Sequence, residues 1–137
     1  MLIAAAVLSL SAAEPGITGL WATGDEGGRV RIETCGDAIC GRLVAADALE
    51  DDPDLKDVNH PDPRMRDRPL QGVPVIEDFS RNETGQWEPG VLYDPEEGRV
   101  ITRGHLELAA EDRLEVRGCV AFICRTQEWT RIGEEEG

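Results

Sequence analysis

Apolar and polar residues alternate along most of this chain with a period of two, the spacing at which successive strand side chains fall on opposite faces. Arg29–Cys35 is the cleanest case: Val30, Ile32 and Thr34 share one face, and Arg29, Arg31, Glu33 and Cys35 share the other. Residues 17–23 read as a strand before it, and Asp25-Glu26-Gly27-Gly28 carries the turn chemistry to fold the two into a hairpin. Past Gly36-Asp37, Ile39, Gly41, Leu43 and Ala45 form an inner face, with Cys40 and Arg42 outside. Strand character returns over residues 73–79 and 87–93, where Pro89 and Gly90 mark an edge or a bulge. Over residues 99–109, Val100, Thr102, Gly104, Leu106 and Leu108 line one face. After a turn at Glu111-Asp112, Leu114, Val116 and Gly118 do the same.

Residues 124–132 form the awkward strand. If Cys124 faces outward beside Cys119, then Arg125, Gln127, Trp129 and Arg131 face in. A buried guanidinium without a partner is costly, so either the register slips at residues 121–123 or the interior holds a polar site. About eight short strands in hairpin order predict an all-β fold, an antiparallel meander curled or closed into a small barrel.

Residues 57–72 break the alternation. Pro61, Pro63 and Pro69 fix φ, Asn59 and Asp62 can bond their own backbone, and Gly72 permits a positive φ, so this is an ordered loop. Asp62-Pro63 is an N-cap and N1 pair, which predicts a short helix over residues 63–67 ended by Pro69. The acidic residues 47–56 have little apolar periodicity and read as loop, with a helical turn at most. Arg64, Arg66 and Arg68 are the chain's densest basic cluster. With Asp57, Asn59 and Asp62, Arg66 and Arg68 suggest a pocket for an anionic group, because guanidinium forks match carboxylate or phosphate. The competing reading has them pair with the acidic loop over 47–57 and pin the excursion down.

The length of 137 residues fits one domain. Residues 1–13 read as a signal peptide: an apolar run ends in Ser11-Ala12-Ala13, too short to span a bilayer, although the basic start of a leader is missing. The competing reading is a buried N-terminal helix. A domain over 14–133 and an acidic tail over 134–137 complete the division. Fourteen Lys and Arg against 28 Asp and Glu give a net charge of −14, which repels phosphate backbones and anionic headgroups. Nucleic acid is therefore not an expected partner, no transmembrane segment is expected after the leader, and the protein is read as a monomer.

Cys35 and Cys40 enclose four residues, as do Cys119 and Cys124. This symmetry favours two local disulfides and an oxidising compartment, periplasmic or secreted. Four-thiolate zinc is the rival arrangement, but it usually employs tighter Cys-x-x-Cys hooks. No cofactor is called for.

Trp21, Trp87, Tyr93 and Trp129 are four of the six aromatics. In a barrel they could line a cavity for an apolar or sugar-like ligand, or serve as the largest core pieces. Catalysis has little support. Ser80 is the only serine after the leader, and neither His60 nor His105 has a recognisable triad partner. His60 with Asp57 and Asp62 is more simply a hydrated loop than an acid–base or metal cluster.

Gly19-x-Trp21 near the start and Trp129-x-Arg131 near the end resemble the calycin pattern of lipocalins and fatty-acid-binding proteins, in which the Trp packs under an Arg from the chain's end. A wider set of motifs covers nearly the whole mature chain: Cys40-Gly41-Arg42, Asp57-x-Asn59, Pro61-Asp62-Pro63, Arg66-x-Arg68-Pro69-Leu70-x-Gly72, Trp87-x-x-Gly90-x-x-Tyr93-Asp94-Pro95-x-x-Gly98 and Leu114-x-Val116-x-Gly118. Together with the first two they resemble the bacterial envelope family called domain of unknown function 2147. The chain departs from that pattern at His60, where Asn is usual, and at Ile101, where Tyr is frequent. The resemblance implies a small exported β domain and supplies no activity. The expectation is a non-catalytic binding module for a small ligand or envelope component, with Trp21, Asp57, Asn59, Arg66, Arg68, Trp87, Tyr93, Trp129 and Arg131 as candidate ligand contacts. Alternatives are an enzyme acting through the 57–72 loop and a structural protein that docks through an edge near Pro89-Gly90.

Overall fold

Each alternating stretch becomes a strand. A computed structural model describes residues 16–81, 83 and 87–133 of the chain. The strands are β1 (Gly19–Ala22), β2 (Arg29–Cys35), β3 (Ala38–Ala45), β4 (Pro74–Phe79), β5 (Gly90–Asp94), β6 (Arg99–Ala110), β7 (Arg113–Val120) and β8 (Ile123–Gly133). All pair antiparallel in chain order, and β1 also pairs with β8, so the sheet closes into an eight-stranded barrel. Closure removes the sheet edges that an open meander would leave exposed. The leader expected over 1–13 and the acidic tail over 134–137 lie outside the described residues.

The barrel interior is filled by side chains. Trp21, Val30, Ile32, Ile76, Phe79 and Leu114 are essentially inaccessible, and Ile39, Leu43, Leu92, Leu106, Val116 and Trp129 join them in one cluster. Space inside so narrow a barrel is tight enough that two inward positions have no side chain. A Cβ on Gly90 would come within 2.6 Å of the Phe79 ring, and one on Gly104 within 2.6 Å of Leu92. Small residues opposite large ones let the two walls interdigitate.

Three local expectations need correction. The acidic stretch begins with a short helix, α1 (Asp47–Asp51), because Leu49 is buried and gives the turn an anchor on the core. On β6 the phase shifts: Ile101 packs on the core, whereas Val100 and Thr102 face out. A register irregularity in the β5–β6 pairing between Gly90 and Leu92 accommodates this shift, as a bulge does. On β8 neither foreseen alternative applies. Pairing with β7 runs unbroken from Arg113↔Thr130 to Val120↔Ile123, so Arg125 and Gln127 do share the inward side with Gly118 and Val116. Both are nevertheless exposed, because β1 pairs with β8 only from Thr130 onward and leaves that side open to water. Charge is not buried there.

Between β3 and β4 the excursion folds back over one end of the barrel. Asp62 caps the turn that starts at Pro63, as its sequence predicts, but the turn is 3-10 and ends at Met65, short of residue 67. Leu43 and Gly72–Val73 exchange backbone hydrogen bonds of 2.9 and 2.7 Å, and Leu70 bonds back to Leu55. The excursion is thus tied to the strand it leaves.

Candidate functional site

The excursion meets the barrel at Asp57, a carboxylate with 1% exposure. Its Oδ1 accepts the phenolic proton of Tyr93 at 2.6 Å, and its Oδ2 accepts from Arg68 Nε at 2.9 Å. The Arg68 guanidinium also lies 5.7 Å from the centroid of the Tyr93 ring, and the His60 ring lies 4.9 Å from it on a tilted plane. Burial first, then the hydrogen bond to the Asp57 carboxylate, pushes the Tyr93 phenol far above its ordinary range. Tyr93 is therefore a fixed donor. Every buried polar side-chain atom among the described residues has a partner.

Around this pair the loop binds itself. Arg66 donates to the carbonyls of His60 at 2.7 Å and Pro61 at 3.4 Å. Asp62 holds Arg64 through two side-chain bonds and its backbone N–H, and the Arg64 side-chain bond leads in holding the Asp62 carboxyl down at about 2. Asn59 reaches across to the carbonyls of Pro95 and Glu96. Beneath it Gly98 adopts φ 65°, and a Cβ there would collide with the Asn59 carbonyl. The separate Asn59 and Gly98 motifs are two halves of one contact.

At the opposite end, the Arg131 guanidinium lies 4.4 Å over the Trp21 ring. It donates to the carbonyls of Thr18, Gly16 and Glu111 at 2.6, 2.9 and 2.8 Å. Gly19 has φ 134°, and a Cβ on it would lie 2.6 Å from Arg131 Nη1. Gly-x-Trp and the terminal Arg therefore form a single closure.

Trp87 stands apart from both clusters. Half-buried on the β4–β5 connection, it pairs with Arg81, whose guanidinium lies 4.8 Å over the indole. It lines a groove of about 600 Å³ completed by His105, Glu107, Glu115 and Arg117 of β6 and β7. A smaller recess of about 140 Å³ lies between Trp87 and the β2–β3 hairpin near Ala38 and Ile39. Burial lowers the pKa of His105, and repulsion from Arg117 and Arg103 adds to this. The half-hairpin disulfides join Cys35 to Cys40 and Cys119 to Cys124, so no free thiol remains.

The nine candidate contacts thus separate. Asp57, Arg68 and Tyr93 meet, Asn59 and Arg66 flank them in the same loop, and Trp21 meets Arg131. Trp129 is buried in the core, with its indole N–H on Gln127. Trp87 alone among the nine lines the groove. Sequence reasoning missed Arg81, Glu107, Glu115 and Arg117. Alternation does place His105 beside Arg117 across β6 and β7, but no sequence signal announces that the β4–β5 connection forms the opposite wall.

Comparison with known proteins agrees with this architecture. No curated protein matches the chain in sequence. In structure it is similar to protein HP1028 from Helicobacter pylori, described as belonging to the lipocalin family, with a TM-score of 0.70 and 17% identity over 86% of this chain and 84% of that one. That likeness establishes a lipocalin-like fold. The sequence profile of the family described as "Uncharacterized protein conserved in bacteria (DUF2147)" matches residues 19–131, and the chain belongs to this family, as its motifs implied.

Proposed function

We propose that this protein is a non-catalytic binding module that works in the periplasm or outside the cell and takes a small, sugar-like ligand in the Trp87 groove. The observation that carries the reading is the groove itself: about 600 Å³ with an indole on one wall and side chains of both charges on the other. This volume falls within the range that small ligands occupy, and an aromatic face beside donors and acceptors suits a ligand with hydroxyls on one side and C–H on the other. Two disulfides support an oxidising compartment. In this reading Trp87 touches the ligand, while Trp21, Trp129 and Arg131 maintain the shell. Asp57, Asn59, Arg66, Arg68 and Tyr93 hold the excursion: Asp57 bonds Arg68 and Tyr93, while Asn59 and Arg66 bond backbone carbonyls of the β5–β6 turn and of the loop itself.

Native mass spectrometry of protein exported in its own host, set against the denatured mass of the same sample, tests this. The expected result is a reproducible extra mass that disappears on denaturation and is absent from a Trp87→Ala variant of unchanged Tm. An apo mass in the wild type, or an adduct that survives in Trp87→Ala, would overturn the assignment.

A further inference from the structure

The β7–β8 hairpin gathers three exposed apolar side chains at its tip, among them the fully exposed Phe122. Val120, Phe122 and Ile123 are 52%, 100% and 67% exposed. Val120 pairs with Ile123 across the two-residue turn Ala121-Phe122. The tip stands beyond its neighbours, since pairing with β6 ends at Gly104↔Gly118 and pairing of β8 with β1 begins at Thr130. The turn residues do not suit the turn. A tight hairpin turn whose first residue has positive φ normally has Gly there, yet Ala121 sits at φ 55°. Immediately behind it, Cys119 and Cys124 are opposite one another and joined. An unfavourable turn, full exposure of a phenyl ring and a covalent clamp combine into a stiff apolar prong for which the barrel itself has no use.

The charges beside the prong indicate what it enters. Arg103 Nη1 donates to the Ala121 carbonyl at 3.1 Å, which sets its guanidinium at the turn. Arg125, exposed, lies two residues from Ile123 on the same face and makes no ion pair among the described residues. Acids on this ribbon begin only at the Glu115↔Glu128 pair, farther down. Although the chain as a whole carries a net charge of −14, the two arginines beside the apolar tip locally complement a layer in which phosphates border hydrocarbon. We infer that the hairpin over residues 119–124 is a membrane-docking prong, placing Phe122 and Ile123 at the headgroup–acyl boundary of a phospholipid layer with Arg103 and Arg125 on lipid phosphates.

The test is co-sedimentation of the full oxidised protein with phosphatidylcholine vesicles. Wild type is expected to partition onto them. Phe122→Asp should weaken partitioning roughly tenfold or more, consistent with loss of one buried phenyl ring, and Arg103→Gln with Arg125→Gln about fivefold. Thermal melts confirm that each exposed-site variant folds. No sedimentation of wild type, or equal sedimentation of Phe122→Asp, overturns the proposal. Concentration-dependent dimerisation abolished by Phe122→Asp, without vesicle binding, would instead assign the tip to a second copy of the chain and equally overturn it.

Discussion

Tyr93 of β5 gives its phenolic proton to the buried carboxylate of Asp57, 36 residues earlier, across 2.6 Å. One bond therefore couples the excursion to the barrel wall. It also makes the chain's only tyrosine a reporter of that coupling.

Absorbance titration of the phenolate reads this directly. The folded protein should show no tyrosine ionisation as pH passes 10, where a free phenol titrates, because burial and Asp57 hold the proton on. A phenol raised in the folded state stabilises the fold below its ordinary value of 10 and loses that contribution as pH rises through the folded value. Asp57→Asn should bring the titration back toward 10.

Asp57→Ala leaves the Tyr93 hydroxyl and the Arg68 guanidinium without their acceptor. A loss of about 3 kcal/mol is expected from the broken buried pair, measured by urea unfolding. Tyr93→Phe removes one hydrogen bond and should cost about 1 kcal/mol. Equal losses for the two would show that Arg68 does not depend on Asp57.

Gly19→Ala should disrupt the end closed by Arg131. The φ of 134° strains any side chain, and the added Cβ meets both Arg131 Nη1 at 2.6 Å and the Gly133 carbonyl at 3.0 Å. About 2–3 kcal/mol of stability should be lost. Near-ultraviolet circular dichroism, sensitive to the Trp21 environment, should change in parallel, and it should change the same way in Arg131→Ala.

His105 should titrate below its ordinary 6.5 in the folded protein, by burial and by repulsion from Arg117 and Arg103. A lowered imidazole stabilises the fold above pH 6.5, and that contribution is lost as pH falls through the folded value. NMR titration of the two histidines measures the shift. His105→Gln should flatten the stability profile below pH 6.5, and an unshifted His105 resonance would remove the basis for that slope.

Ala121→Gly should stabilise the protein by about 1 kcal/mol, because the left-handed turn position suits glycine. The gain should appear as a higher urea midpoint with an unchanged slope. A loss instead would mean that the Ala121 side chain makes contacts that outweigh its backbone strain.

The strands and their faces were legible in sequence because period two is a local property: Val30 and Ile32, or Leu114 and Val116, declare their face within a few residues. Spacing likewise favoured the pairing of Cys35 with Cys40 and of Cys119 with Cys124, and the Asp62-Pro63 pair predicted a short helix over 63–67 where a 3-10 turn over Pro63–Met65 forms. About eight short strands in hairpin order carried the fold class, and the family motifs agreed with it. What alternation could not settle was phase across an irregularity, so the inward turn of Ile101 emerged only from the β5–β6 register. Nor could it tell an inward direction from a buried one. Arg125 points to the barrel's inner side and still meets water, because β1 is too short to cover it. The meetings of Asp57 with Tyr93 and of Gly19 with Arg131 join residues far apart in the chain, and tertiary structure alone brought them within bonding distance. The walls of the Trp87 groove arose in the same way. Sequence by itself determined which residues form strands and how neighbours turn, since those choices rest on local sterics and solvation. Closure of the barrel decided which side chains share a site, because that depends on register and strand length around the whole sheet.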